Sequence, residues 1–432
     1  MLKNSSFAHT AVTAKGWIKM NRVIGLTLFV LLVGVSICFC PAAWAQESKY
    51  DVKKFPSAVS DEFSRVGDKI GEIVNTIPME STFPTATPSA QESEPGKGRE
   101  FFAVPIPTSN PMFGVGVTAM AGCIFRPDKN DTVSPPSTIA VGGMYTENET
   151  WAAGGGAKIF LYEDTLRLLA GGGYADLKYD FYGTGNDLGD AGKSIPLNQV
   201  VKGGVLESLF RLNGKTFLGP RFVAGNSLIT RGGDDIVLAD GSTLPRAELD
   251  VQTNTIGAHL QQDTRDSQFY AVQGHVFDFQ VDFSEEAFGS DFNYQIYSTY
   301  WNGYKTLSKK QVLAVRGYGK GCDGRVPFFM LPSFGSGSDL RGYPAGRYRD
   351  KAMVAAQAEY RLVLNKFLGM VVFGGAGEVA SSWGDFNQDN ILPSYGIGAR
   401  FTVAPKNHLN MRLDYAVGKD DAVWYLAVAE AF

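Results

Sequence analysis

Apolar and polar residues alternate at period two through most of the chain. His275 to Phe283 sets Phe277, Phe279, Val281 and Phe283 on one side of an extended backbone and Asp278, Gln280 and Asp282 on the other. Asn410 to Val417 opposes Met411, Leu413, Tyr415 and Val417 to Asn410, Arg412 and Asp414, and Phe292, Tyr294, Ile296 and Tyr300 oppose Asn293, Gln295 and Thr299. A soluble sandwich alternates too. Acids directly behind rows of Phe fit a wet lumen behind a lipid-facing wall better. Asn213-Gly214, between two apolar runs, predicts a tight hairpin, with Glu163-Asp164 and Asn302-Gly303 as weaker turn candidates.

The last residues, Val423 to Phe432, read as one further strand. Trp424, Leu426, Val428 and Phe432 share a face, interrupted by Glu430, while Val423, Tyr425, Ala427, Ala429 and Ala431 take the other. An aromatic ending suits an interfacial girdle, so Trp424, Leu426, Val428 and Phe432 are the expected insertion signal. Past residue 45 no stretch reaches the roughly 18 to 20 apolar residues of a spanning helix. Only a closed barrel then pairs every backbone group in lipid. The expected fold is all-β, a transmembrane antiparallel β-barrel, and 50 glycines with 12% aromatic residues suit long, curved strands.

The first hundred residues lack this alternation. Lys3, Lys15, Lys19 and Arg22 precede an apolar run from Val23 to Phe39 and a small-x-small site at Ala43-Trp44-Ala45. Residues 1–45 therefore read as a secretory signal, the alternative being a membrane-anchoring helix. Residues 46–104 read as a periplasmic segment and 105–432 as the barrel. Phe83 to Ser89 and Glu92 to Lys97 have linker composition. Upstream, Val59, Phe63, Val66, Ile70 and Ile73 predict an amphipathic helix over 57–76 that rests on the barrel or docks a periplasmic partner.

The formal net charge of −4 becomes more acidic once the four cations of the signal are removed, which disfavours nucleic acid as a partner. Cys38 and Cys40 leave with the signal, and Cys123 and Cys322 read as two separate thiols, with pairing as the alternative.

Catalytic chemistry finds no support. His259, His275 and His408 lack zinc-type partner sets. Gly154 to Gly156 and Gly171 to Gly173 lack the ending of a phosphate loop, and Ser336 and Ser338 lack a hydrolase elbow. Asp385, Asn387 and Asp389 open like a calcium loop, but Asn390 and Gly396 stand where Gly and Glu are required. No enzyme, metal or cofactor is expected.

One segment is more specific. Gly335 to Tyr343, containing Leu340-Arg341-Gly342-Tyr343, resembles the lid-loop signature of the BamA/TamA outer-membrane assembly family, also called bacterial surface antigens. Phe181 to Asp187 resembles that family's aromatic-Gly-x-Gly-Asn segment. Asp263 to Tyr270, followed by Gly274, resembles its mid-barrel Arg-Asp segment, with Ala271 in place of proline. Ala358 to Arg361 and the final Phe432 fit as well. The resemblance implies sixteen strands and an inward-folded lid that sets Arg341 against lumenal acids, with Glu359 as a partner. It also implies five strands after the lid, and 352–362, 369–380, 394–403, 409–418 and 422–432 supply five candidates. The second family acid falls at Gly375, which leaves fewer charges on the lid or Glu378 in its place. Residues 46–104 are too short and patternless for the family's POTRA domains.

The resemblance thus implies a Gram-negative outer-membrane barrel that translocates or inserts protein or lipid through a lid-gated lumen or lateral seam. The alternative is a passive pore or surface antigen keeping the lid as a brace. Expected partners are outer-membrane lipid, the assembly machinery that inserts the chain itself, and any protein docked on the 57–76 helix.

Overall fold

The computed structural model describes residues 99–432, apart from 111, 233–247, 268–269, 336–337 and 405–408. The signal, the helix over 57–76, His408 and Ser336 lie outside the described residues. β1 (Glu100–Asn110), β2 (Gly114–Phe125), β3 (Ser137–Thr146) and β4 (Trp151–Leu161) come first. β5 (Leu166–Phe181), a short helix α1 (Asn186–Ala191), β6 (Ile195–Asn213), β7 (Thr216–Arg231) and β8 (Glu248–Asp263) follow. Then come β9 (Gly274–Ser284), β10 (Tyr294–Ser308), β11 (Gln311–Gly324) and β12 (Ala352–Val363). β13 (Leu368–Ala380), β14 (Leu392–Ala404), β15 (Leu409–Val417) and β16 (Ala422–Val428) complete the set.

Each strand pairs antiparallel with its neighbour, and β1 meets β16 to close a sixteen-stranded barrel. The first strand starts at Glu100, ahead of the 105 boundary drawn from alternation, because Phe101 and Ala103 already pair with Cys123 and Ala121.

The alternation in the sequence is the division between wall and lumen. In β9, Phe279 and Phe283 face outward at 39% and 43% exposure, while Asp278 is 3% exposed inside. Tyr395, Ile397 and Phe401 of β14 likewise point out, and Ser394 and Arg400 point in. Gly154 to Gly156 face Gly171 to Gly173 across β4–β5 as strand glycines. Gly219 shows what such glycines permit: a Cβ there would sit 1.6 Å from the Ser208 carbonyl oxygen, so only glycine allows β6 and β7 to approach so closely. Cys123 and Cys322 are free thiols.

Asn213-Gly214 forms the β6–β7 hairpin, with Gly214 at φ 47. Glu163 and Asp164 form the β4–β5 turn at positive φ. Asn302-Gly303 is no turn. Both sit within β10, paired with Arg316 and Val315 of β11. Asn302 faces the lumen and accepts from Arg316 Nη1 at 2.7 Å, so its polarity answers a buried charge rather than a chain reversal.

The final strand is shorter than its pattern suggests. Trp424, Leu426 and Val428 lie on the outer face, but β16 ends at Val428 and Ala429 adopts φ 73. That kink turns the last residues into the lumen. Glu430 then accepts from Arg400 Nε at 2.6 Å and from Asn410 Nδ2 at 2.8 Å. Phe432 packs on Ala271, Tyr304 and Ala314, and its carbonyl accepts from Arg361 Nη2 at 2.8 Å. Phe432 therefore does not share the outer face with Trp424. The carboxylate of Glu430 is the reason: on a continued strand it would face lipid.

Left-handed backbone at Ala429 favours glycine. Ala429→Gly is expected to raise the temperature of the barrel's heat-modifiable gel shift, by roughly 0.5–1 kcal/mol of stability. Ala429→Val is expected to lower it. Equal behaviour of the two variants would contradict the kink.

Candidate functional site

The β11–β12 connection, residues 325–351, folds back into the barrel mouth, and Leu340, Arg341 and Tyr343 are fully buried there. Leu340 and Tyr343 join Phe334, Tyr348, Met353, Ala355, Val379 and Leu392 in one apolar cluster. Gly342 sits at φ 100, where an added Cβ would lie 2.8 Å from Gly418 N and Val417 C, so the loop needs glycine to lie against the β15–β16 turn. Its N–H donates to Tyr425 Oη at 3.1 Å. Tyr343 Oη donates to the Pro393 carbonyl and accepts from Lys419 N–H at 3.2 Å.

This fold carries Arg341 to the lumenal faces of β12, β13 and β15. Its Nη1 donates to Asp414 Oδ2 at 2.9 Å and its Nε to Gln357 Oε1 at 3.2 Å. Nη2 lies 2.6 Å from Glu359 Oε1, close but off the hydrogen-bond line. The guanidinium carbon stacks 3.5 Å above the centre of the Phe373 ring. A planar, delocalised cation suits such a site, because it uses its edge for acids and its face for the ring.

Arg341, Glu359 and Asp414 are all fully buried, and the network continues outward from them. Glu359 Oε2 accepts from Arg361 Nε at 3.0 Å. Asp414 also accepts from Arg400 and Arg412. Arg400 and Arg361 then hold Glu430 and the Phe432 carbonyl. The lid and the inward-turned chain end are thus two ends of one polar network.

The structure brings Arg341 and Glu359 together and adds partners that sequence reasoning missed. Gly375 leaves no room for an acid: a Cβ there would meet Ala356 O at 2.4 Å and Gln357 Cγ at 2.7 Å. Gln357 fills that space and contacts Arg341 itself. Glu378 is elsewhere, accepting from Asn387 N–H at 2.6 Å beside the β13–β14 loop. The second acid is Asp414. The alternation places Asp414 on the lumenal face, but its approach to Arg341 across two strands is set by the register of the closed barrel. Trp424, Leu426 and Val428 take no part in this network.

Other candidate groups have structural partners. His259 lies between Glu207 and Asp278, at 2.9 and 2.8 Å. Asp385 accepts from the Ser381 and Ser382 hydroxyls in an exposed turn. Among the described residues no cluster of three or more His, Cys, Asp or Glu has metal-binding geometry.

A second layer closes the mouth above Arg341. Arg347 pairs with Asp421 and donates through Nε to the Gly189 carbonyl of α1 at 2.8 Å. Asp190 accepts from Tyr348 Oη at 2.8 Å and from Lys419 Nζ at 2.9 Å. The hydrogen bond from Lys419 holds the Asp190 carboxyl below its ordinary value, and burial pushes the Tyr348 phenol up. Three connections, the β5–β6 segment, the lid and the β15–β16 turn, meet at these residues.

A family model described as the Omp85 superfamily domain matches residues 190–424, more than half of the 432-residue chain. Among solved structures, BamA from Haemophilus ducreyi lacking POTRA domains 1-3 is similar over 77% of this chain and 70% of its own, with a TM-score of 0.52 and 14% identity. CdiB from Escherichia coli is similar over 78% of this chain and 63% of its own, with a TM-score of 0.51 and 11% identity. At such identities the likeness is one of fold. No curated protein matches the chain.

The mouth latch has a defined pH response. A carboxyl whose folded pKa is depressed contributes stability above its ordinary range and loses it as pH falls through the folded value. Protease cleavage within 325–351 of the folded barrel is expected to stay slow at neutral pH and to speed up below the ordinary Asp range, as Asp190 takes up a proton. Asp421, whose carboxyl burial holds above its ordinary value, takes up its proton earlier, and by the same linkage that step favours the closed form and does not speed cleavage. Asp190→Asn is expected to show the fast rate already at neutral pH. A variant as resistant as the native chain at neutral pH would contradict the latch.

Proposed function

The chain belongs to the Omp85 superfamily, and we propose that it is a Gram-negative outer-membrane barrel that moves or inserts protein or lipid through its β1–β16 seam while the lid keeps the lumen shut. The observation that carries this reading is the seam. Among the described residues β1 and β16 share a single registered pair, Ser109 with Leu426. The neighbouring β15–β16 ladder runs from Met411 to Val417, and β1–β2 pairs along all of β1. A backbone ladder missing on one side only is the least costly place for a barrel to part.

The lid supports the same reading from the other side. Its arginine is held by partners on three strands, and its upper layer ties three connections together. A lumen held in this way is a poor route for bulky cargo. The alternative, a passive pore or surface antigen with the lid as a brace, draws on the same network.

Purified protein in sealed vesicles separates these readings. We expect little leak of small solutes, together with transfer of fluorescent lipid or insertion of a client barrel. A Ser109→Cys/Leu426→Cys disulfide across the paired positions is expected to abolish that transfer reversibly. Solute leak from the native protein, unaffected by the disulfide and unaccompanied by transfer, would establish the passive pore instead.

A further inference from the structure

Over positions 105 to 109, where it meets β16, the edge that β1 turns toward β16 has a single donor. Along a strand, the N–H and C=O of a residue point to one side, and successive residues alternate. Glu147 N–H donates to Val115 O at 2.9 Å, so Val115 directs its groups to the β3 side, away from β1. Ser109 is the β1 partner of Val115. That pair is therefore non-hydrogen-bonded, and Ser109 and every second residue before it face β16. Those residues are Pro107, Pro105, Ala103 and Phe101, of which the two prolines lack an N–H. On the other strand Ala429 N–H donates to Asn410 O at 2.8 Å, so Leu426 and Val428 direct their groups to β1.

Continuing the Ser109–Leu426 register sets Pro107 against Val428 and Pro105 against Glu430. Neither proline has an N–H to give, and the chain has left the wall by Ala429. Over positions 105 to 109 Ser109 is the sole β16-facing residue able to donate. Pro105 and Pro107 lie exposed on the outer face and bury no core, so packing does not account for them. Proline on a strand edge blocks the addition of another strand, because the addition depends on a regular row of donors and acceptors.

We propose that Pro105 and Pro107 let the seam part without templating a β-strand, so that what it admits is lipid rather than the extending strand of a protein client. This rests on the seam reading above. The prolines leave the seam one reciprocal backbone pair, which closes the barrel but does not lock it. The same gap at 105 and 107 breaks the regular row of donors that extended backbone needs to add to the parted β1 edge, while apolar chains need no donors at all.

The test uses the full chain in vesicles and a synthetic peptide with the sequence of residues 420–432, the native partner of the β1 edge, carrying a photo-cross-linker. The native protein is expected to give no cross-link within 100–110 above background. Pro105→Val/Pro107→Val, which restores two donors in strand-favouring residues, is expected to raise it several-fold. Efficient capture by the native edge, or a double variant no better than the native chain, overturns the proposal. If the double variant fails to fold, Ser109→Pro serves: removal of the donor at the registered pair is expected to lower the temperature of the heat-modifiable shift, and an unchanged temperature overturns the proposal. Absence of both lipid transfer and client insertion in the vesicle experiment would sink the seam reading and leave the peptide result standing, whereas client insertion without lipid transfer would overturn the proposal.

Discussion

A fully buried guanidinium is the constraint on which this structure depends. Arg341 is carried by a loop into a fully buried site, where an unpaired charge would be destabilising by several kcal/mol. Its partners must therefore arrive from separate strands at once. Glu359 and Gln357 come from β12, Asp414 from β15 and the Phe373 ring from β13. These strands hold those side chains inward only if the alternation is unbroken, so the register of that half of the barrel is tied to one side chain of the lid. Glu359 and Asp414 in turn need more than one cation, and Arg361, Arg400 and Arg412 supply them.

The same network reaches the weakest part of the wall. Through Arg400 and Arg361 it holds Glu430 and Phe432, the residues that leave β16 for the lumen. The chain end that could have lengthened the seam is instead spent on the interior. Facing it, β1 offers prolines where donors would be needed. Strong pairing inside and sparse pairing at the seam are thus connected, since the inward turn at Ala429 serves the first and limits the second.

Much of this was legible in the sequence for a simple reason. Lipid outside and water inside impose period two on every strand, and that period survives in β9, β14 and β15 without any help from tertiary contacts. The five strands after the lid fell close to their expected places. Arg341 and Glu359 came from the resemblance of one loop, and the geometry sets them side by side. What the sequence hid were contacts set by register across strands. Asp414 looked like any lumenal acid until the barrel closed, and Gln357 replaced an acid that Gly375 has no space to carry. Glu430 was visible as a break in the outer face of the last strand. Its cause, a left-handed residue just before it, depends on partners that only the closed barrel supplies. Asn302-Gly303 failed as a turn for a related reason, since Asn302 serves a buried arginine.

The central claim is that Arg341 and Glu359 are coupled across the lumen as parts of one network. The most direct measurement is a double-mutant cycle on barrel stability, comparing Arg341→Ala, Glu359→Ala and the pair. Each single change removes one partner from a fully buried ionic network and leaves the other charge less compensated, so each is expected to lower stability by about 3 kcal/mol. The double variant is expected to lose far less than the sum of the two. Strictly additive losses would show that the two side chains lie together without holding each other, and would contradict the account.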